Sequence, residues 1–101
     1  MTSPEASRAH YVANRDKVKL AARRSYERRK AWLNGLKEAS PCADCGTSYP
    51  ARVMQYHHID PETKDKSVSV LVRAASRERI LAEISKCVIL CANCHALRHN
   101  E

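Results

Sequence analysis

Two C-x2-C pairs, Cys42/Cys45 and Cys91/Cys94, bracket 45 residues in a chain of only 101. A chain this short buries too little apolar surface to be secure by its core alone, so a covalent or metal staple is expected. Two residues between cysteines let both thiolates reach one ion while backbone N–H groups point at the sulfurs. Four thiolates in a tetrahedron suit Zn2+, and closed sites of that kind are structural. The separation between the pairs exceeds the usual zinc-ribbon spacing, which implies an insertion. The other readings are free buried cysteines or a redox C-x2-C pair. Cys87 is the odd fifth cysteine and argues against a closed disulfide set. Beside Val88 and Ile89 it reads as a small buried strand residue.

Residues 1–5 lack the apolar core of a secretory signal, and no run is long enough to span a bilayer. A reducing cytosol and no membrane partner are therefore expected, and there paired cysteines more often hold metal than form disulfides.

The net charge of +7 is uneven: residues 1–40 hold ten bases and four acids. A basic segment joined to a nearly neutral one suggests a DNA-binding arm (1–40) on a functional body (41–101). A merely solvated helix face is the plainer alternative. Residues 5–34 contain no Gly or Pro and have helix composition. Ser3-Pro4 is the expected start, with Asn14 a second candidate cap; Asn34-Gly35 should fray the end and Ser40-Pro41 should stop it. Val18, Ala22, Tyr26, Leu33 and Leu36 form one apolar stripe at helical spacing. Lys19, Arg23, Lys30 and Lys37 flank it on one side, Lys17, Arg24 and Arg28 on the other. Arg23, Arg24, Arg28 and Lys30 are the candidate phosphate contacts.

Gly46 is placed to take a positive φ just after the second cysteine. Residues 52–59 read as a short strand ended by Asp60-Pro61, and residues 62–68 as a loop. Ser69 is expected to cap a short helix to Ala74, although Val68, Val70 and Val72 also alternate like a strand. Ser76 should cap a second helix that buries Ile80, Leu81 and Ile84. Val88–Leu90 reads as a buried strand and residues 91–99 as a terminal helix. The fold class expected is thus a small α+β domain behind a long basic helix.

His57-His58 lies inside the insertion, and His95 and His99, four apart, share a helix face. Two histidines at that spacing plus one from a strand can hold a single divalent ion with open positions. Taken singly, such histidines are more often ordinary surface pairs; their setting between two cysteine knuckles raises the signal.

Cys42-x2-Cys45, Tyr56-His57-His58-Ile59-Asp60-Pro61, Lys86-Cys87-Val88-Ile89-Leu90-Cys91-Ala92-Asn93-Cys94-His95 and His99 together resemble the HNH endonucleases, in particular the small four-cysteine proteins encoded by bacteriophages. The resemblance covers about residues 41–101. It implies a ββα-metal core stapled by zinc, with His58 as general base and His57, His95 and His99 as ligands of a catalytic divalent ion (Mg2+, Mn2+, Ni2+ or Zn2+). It also implies hydrolysis of DNA to 5′-phosphate and 3′-hydroxyl ends, in the cytoplasm of a bacterial host, with phage terminase or packaging proteins as possible partners. The middle Asn of the family, which braces the loop carrying the base, falls at Lys86 here, so bracing must come from elsewhere. Arg98 is either a phosphate contact or an exposed helix residue. The competing readings are a zinc-ribbon DNA-binding module without chemistry, for which Lys86 would mark a decayed site, and a packaging accessory that nicks only beside a phage terminase.

Overall fold

The computed structural model describes residues 4–99 and has the small α+β architecture expected. Among the described residues there are four helices, α1 (Pro4–Glu38), α2 (Val68–Leu71), α3 (Arg77–Ile84) and α4 (Ala92–His99). Strands β1 (Met54–His58) and β2 (Cys87–Cys91) form one antiparallel sheet. Its register sets Met54 opposite Cys91 and His58 opposite Cys87. The strands are joined not by a hairpin turn but by a segment containing α2 and α3, and α4 follows β2 without a break.

Ser3 lies outside the described residues. Asn14 does not cap α1, which runs straight through it. Nor does Gly35 end it, because the Ala39 N–H still reaches the Gly35 carbonyl at 3.1 Å; the stop comes just ahead of Pro41. The apolar stripe is only half used. Tyr26, Leu33 and Leu36 pack with Val68, Leu71, Val72 and Ile80, with Leu33 at the centre. Val18, 60% exposed, and Ala22 find no body to cover them. Residues 14–24 are exposed throughout, and the molecule reaches 67 Å in its longest dimension. Arg29 clamps the packed part: Nε donates to the Val72 carbonyl at 2.8 Å, Nη2 donates to the Arg73 carbonyl, and Nη1 donates to Ser25 Oγ at 2.7 Å.

The expected strand at 52–59 is shorter, because Val53 donates to the Pro50 carbonyl and closes a 3-10 turn over Ala51–Val53. Asp60 accepts from the Glu62 N–H and starts a second such turn at Pro61. Ser67, not Ser69, precedes α2. Val68 and Val72 then fall on one buried helical face while Val70 is exposed, which removes the strand reading. Ser76 caps α3 as expected, its hydroxyl accepting from the Arg79 N–H. The buried face of α3 differs from the expected one: Ile80 is fully buried, Leu81 is 46% exposed, and the charged Glu83 is 4% exposed. A second core gathers Cys42, Met54, Leu90, Cys91 and Cys94 between the sheet, α4 and the first cysteine loop.

Candidate metal centres

The first cysteine pair sits in a tight turn. Gly46 N–H returns to the Cys42 carbonyl at 2.8 Å, Cys42 N–H reaches the Thr47 carbonyl at 2.9 Å, and Gly46 takes φ 73°, as its position suggested. Ala43 N–H bonds the Ile89 carbonyl at 2.9 Å, hooking this turn onto β2. The second pair spans the passage from β2 into α4, where the Cys94 N–H points at Cys91 Sγ. All four sulfurs then lie within 4.8 Å of one another. Cys45 Sγ and Cys91 Sγ are 3.9 Å apart. Two thiolates at about 2.3 Å from one tetrahedral ion would be about 3.8 Å apart, so the donor set and its spacing fit zinc. Cys87 stands apart, donating to the Glu83 carbonyl.

The protons of this cluster are unevenly held. Burial pushes the Cys42 thiol up, but hydrogen bonds from backbone groups of Cys45, Cys91 and Asp44 outweigh it and bring its pKa down to about 6. Hydrogen bonding to Cys91, then burial, raises Cys94 to about 12. A metal ion entering at neutral pH must therefore displace at least the Cys94 proton.

The second cluster shares α4 with the first. β1 presents His57 and α4 presents His95 and His99, and one nitrogen of each lies within 4.8 Å of the others. The His95 and His99 Nε2 atoms are 3.0 Å apart. That separation suits a shared proton, and equally two ligands at roughly 2.1 Å and a right angle on one ion. Gln55 Oε1 accepts from His95 Nδ1–H, which leaves the Nε2 lone pair facing the cluster. The pKa values of His57 and His95 are lowered, chiefly by burial and then by His99. Neutral imidazoles are the form that binds metal.

His58 lines the same cleft, of about 240 Å³, as His57, His95 and His99. Its Nε2 lies 2.7 Å from Glu83 Oε1. Glu83 also accepts from the Asp65 N–H at 3.1 Å and from Lys86 Nζ at 2.9 Å. The Lys86 hydrogen bond, aided by those from His58 and Asp65, overcomes the burial cost and holds Glu83 at a pKa of about 2. An ionised carboxylate can only accept, so His58 Nε2 carries the proton and Nδ1 is the basic nitrogen. Lys86 Nζ further donates to the Thr63 carbonyl at 2.9 Å. Lys86 and Glu83 together thus tie Thr63 and Asp65 to the end of α3.

Of the candidate phosphate contacts, Arg23, Arg24, Arg28 and Lys30 are all exposed on α1, and Arg23 shares an exposed ion pair with Glu27. Arg98 is committed inward: its guanidinium grips the Asp44 carboxylate with two hydrogen bonds, 2.8 and 2.6 Å, tying α4 to the first cysteine turn. No helix among the described residues is long and apolar enough to cross a membrane. Comparison with family models, curated proteins and solved structures returned no match for this chain, so its functional reading rests on these sites.

Proposed function

We propose that the chain is a metal-dependent endonuclease of the HNH type, hydrolysing DNA phosphodiester bonds on a ββα-metal core made of β1, β2 and α4. The observation that carries this reading is the meeting, in one cleft, of three converging imidazoles with a fourth whose tautomer is set by a buried carboxylate.

His57, His95 and His99 would hold a divalent ion, which would neutralise charge developing on the scissile phosphate and the leaving 3′ oxygen. Three protein ligands would leave it room for substrate. His58 Nδ1 takes the proton of the attacking water as its oxygen bonds to phosphorus. The P–O3′ bond breaks, the leaving 3′ oxygen takes a proton from a solvent water, and His58 later returns its proton to solvent, giving 5′-phosphate and 3′-hydroxyl ends. Glu83 accepts from Nε2–H throughout, so the ring cannot turn its protonated edge to the water. The exposed cations of α1 supply affinity for the polyanion. In this reading Lys86, which holds Glu83 and the Thr63 carbonyl, has a structural task.

The test is supercoiled plasmid incubated with Mg2+, Mn2+, Ni2+ or Zn2+, without any packaging partner. Nicked or linear product is expected with at least one metal. His58→Ala should lower the rate roughly 10²–10⁴-fold and leave zinc content and DNA affinity near normal. Cleavage by His58→Ala at the wild-type rate would sink the mechanism.

A further inference from the structure

A second and larger cleft, of about 530 Å³, lies between α1, β1 and the start of α2. Lys30, Lys37 and Arg73 bring cationic heads to it, and Ser67 and Ser69 add hydroxyls. Among the described residues no carboxylate lines it. The ion pairs among the described residues lie elsewhere and engage none of these three cations. Lys30 and Lys37 instead lie over aromatic faces, those of Tyr26 and Tyr56, at 5.9 and 5.8 Å. Lys37 is half-buried, and burial together with repulsion from Lys30 lowers its pKa. Like charges gathered without a counter-charge are costly, and an anion relieves them.

The cleft is not isolated. Tyr56 and His95 line both it and the histidine cleft, so the two lie side by side at the candidate catalytic centre. In the other direction Lys37 and Lys30 continue along one flank of α1 to Arg23 and Lys19. Steps of seven, seven and four residues keep these side chains within a narrow sector of the helix, over roughly 27 Å of axis.

We infer that this cleft is a phosphate subsite, which holds the strand of the DNA substrate beside the scissile bond and feeds it onto the Lys37–Lys30–Arg23–Lys19 flank of α1. The inference rests on the nuclease reading for the word substrate. It goes beyond that reading by assigning Lys37 and Arg73, and by giving the two flanks of α1 different roles. The opposite flank, with Arg24 and Arg28, contributes no residue to this cleft.

The experiment is fluorescence anisotropy with a labelled 16-base-pair DNA duplex at several salt concentrations. It compares wild type, Lys37→Gln/Arg73→Gln and Arg24→Gln/Arg28→Gln, each checked for zinc content and helicity. The cleft pair should weaken binding about 10- to 100-fold at moderate salt and reduce the slope of log affinity against log salt by about 2, the loss of two phosphate contacts. The opposite pair should change affinity less than the cleft pair. Lys37→Arg should bind like wild type. A second measurement replaces one phosphate at a time with a neutral methylphosphonate. Wild type should lose affinity at one or two positions, and the cleft pair should no longer sense them. Equal losses from both pairs would overturn the subsite, as would a methylphosphonate profile shared by wild type and the cleft pair. Competition by inorganic phosphate at low millimolar concentration, with DNA affinity unchanged in the cleft pair, would make it a site for the free anion and also overturn the proposal. Binding and cutting separate the two readings. A protein that binds DNA through Lys37 and Arg73 but never cuts keeps the subsite and loses the nuclease; one that cuts and ignores these substitutions does the reverse.

Discussion

The thiol cluster and the imidazole cluster are neighbours built partly from the same helix, yet their surroundings differ. Three of the four cysteines are buried, and their sulfurs have one another and backbone groups for company. The histidines face a cleft, two half-buried and one exposed, with a fourth histidine and Lys64 on its walls. A shell of four soft donors closed by backbone leaves an ion nothing further to bind, so its whole effect goes into holding the chain together. A shell of three donors on the rim of a cleft leaves room for a ligand from solution. The difference lies in what surrounds the donors as much as in their type.

The comparison breaks most visibly at the cysteines. Cys42→Ser or Cys94→Ser should unfold or aggregate the protein, since the second core is assembled around these sulfurs. Purified wild type should contain about one tightly held zinc per chain, by elemental analysis. Cys87→Ser, outside the cluster, should be milder. Folded, zinc-free wild type would end the staple reading, as would equal damage from Cys87→Ser.

A smaller effect is expected at the open shell. His57→Ala or His95→Ala should leave the circular dichroism spectrum and the tightly held zinc in place. The divalent-ion concentration needed for half-maximal cleavage should rise at least 10-fold. His99, the most exposed of the three, should matter less, because water can replace it. Loss of fold in His95→Ala would show that both shells are structural and erase the contrast.

Smaller again is the expected effect of Glu83→Gln. A neutral amide keeps the shape but no longer enforces which His58 nitrogen is protonated. The turnover number should fall roughly 10- to 100-fold, as for other outer partners of functional histidines, with KM and zinc content little changed. An unchanged turnover number would reduce Glu83 to a loop anchor.

The two clusters were legible in the sequence for a simple reason. C-x2-C and a His pair at i, i+4 are local spacings, and local backbone geometry alone brings such donors together. The Ser76 cap and the positive φ of Gly46 are local in the same sense. Glu83 was not singled out, although a signal existed: Ile80, Glu83 and Ile84 share a helical face, and Leu81 is rotated off it. Hydrophobicity favoured Leu81; the structure buries the acid because His58, Asp65 and Lys86 arrive from elsewhere in the chain to satisfy it. Arg29 is the same case, one more base in a basic run until the Val72 and Arg73 carbonyls give it an inward task. Where the stripe on α1 stops being covered was also illegible, because the periodicity of Val18 and Ala22 carries no record of where the body ends.

The ion pair between Asp44 and Arg98 joins the first cysteine turn to the last turn of the helix that carries His95 and His99. Were both shells to hold metal, this link would couple them, and equilibrium thermodynamics would require the influence to be mutual: whatever factor zinc added to the affinity of the open site, an ion in the open site would return to zinc. Scarcity of one metal would then be felt as weakened recruitment of another, a throttle on the chemistry that needs no inhibitor and no second protein.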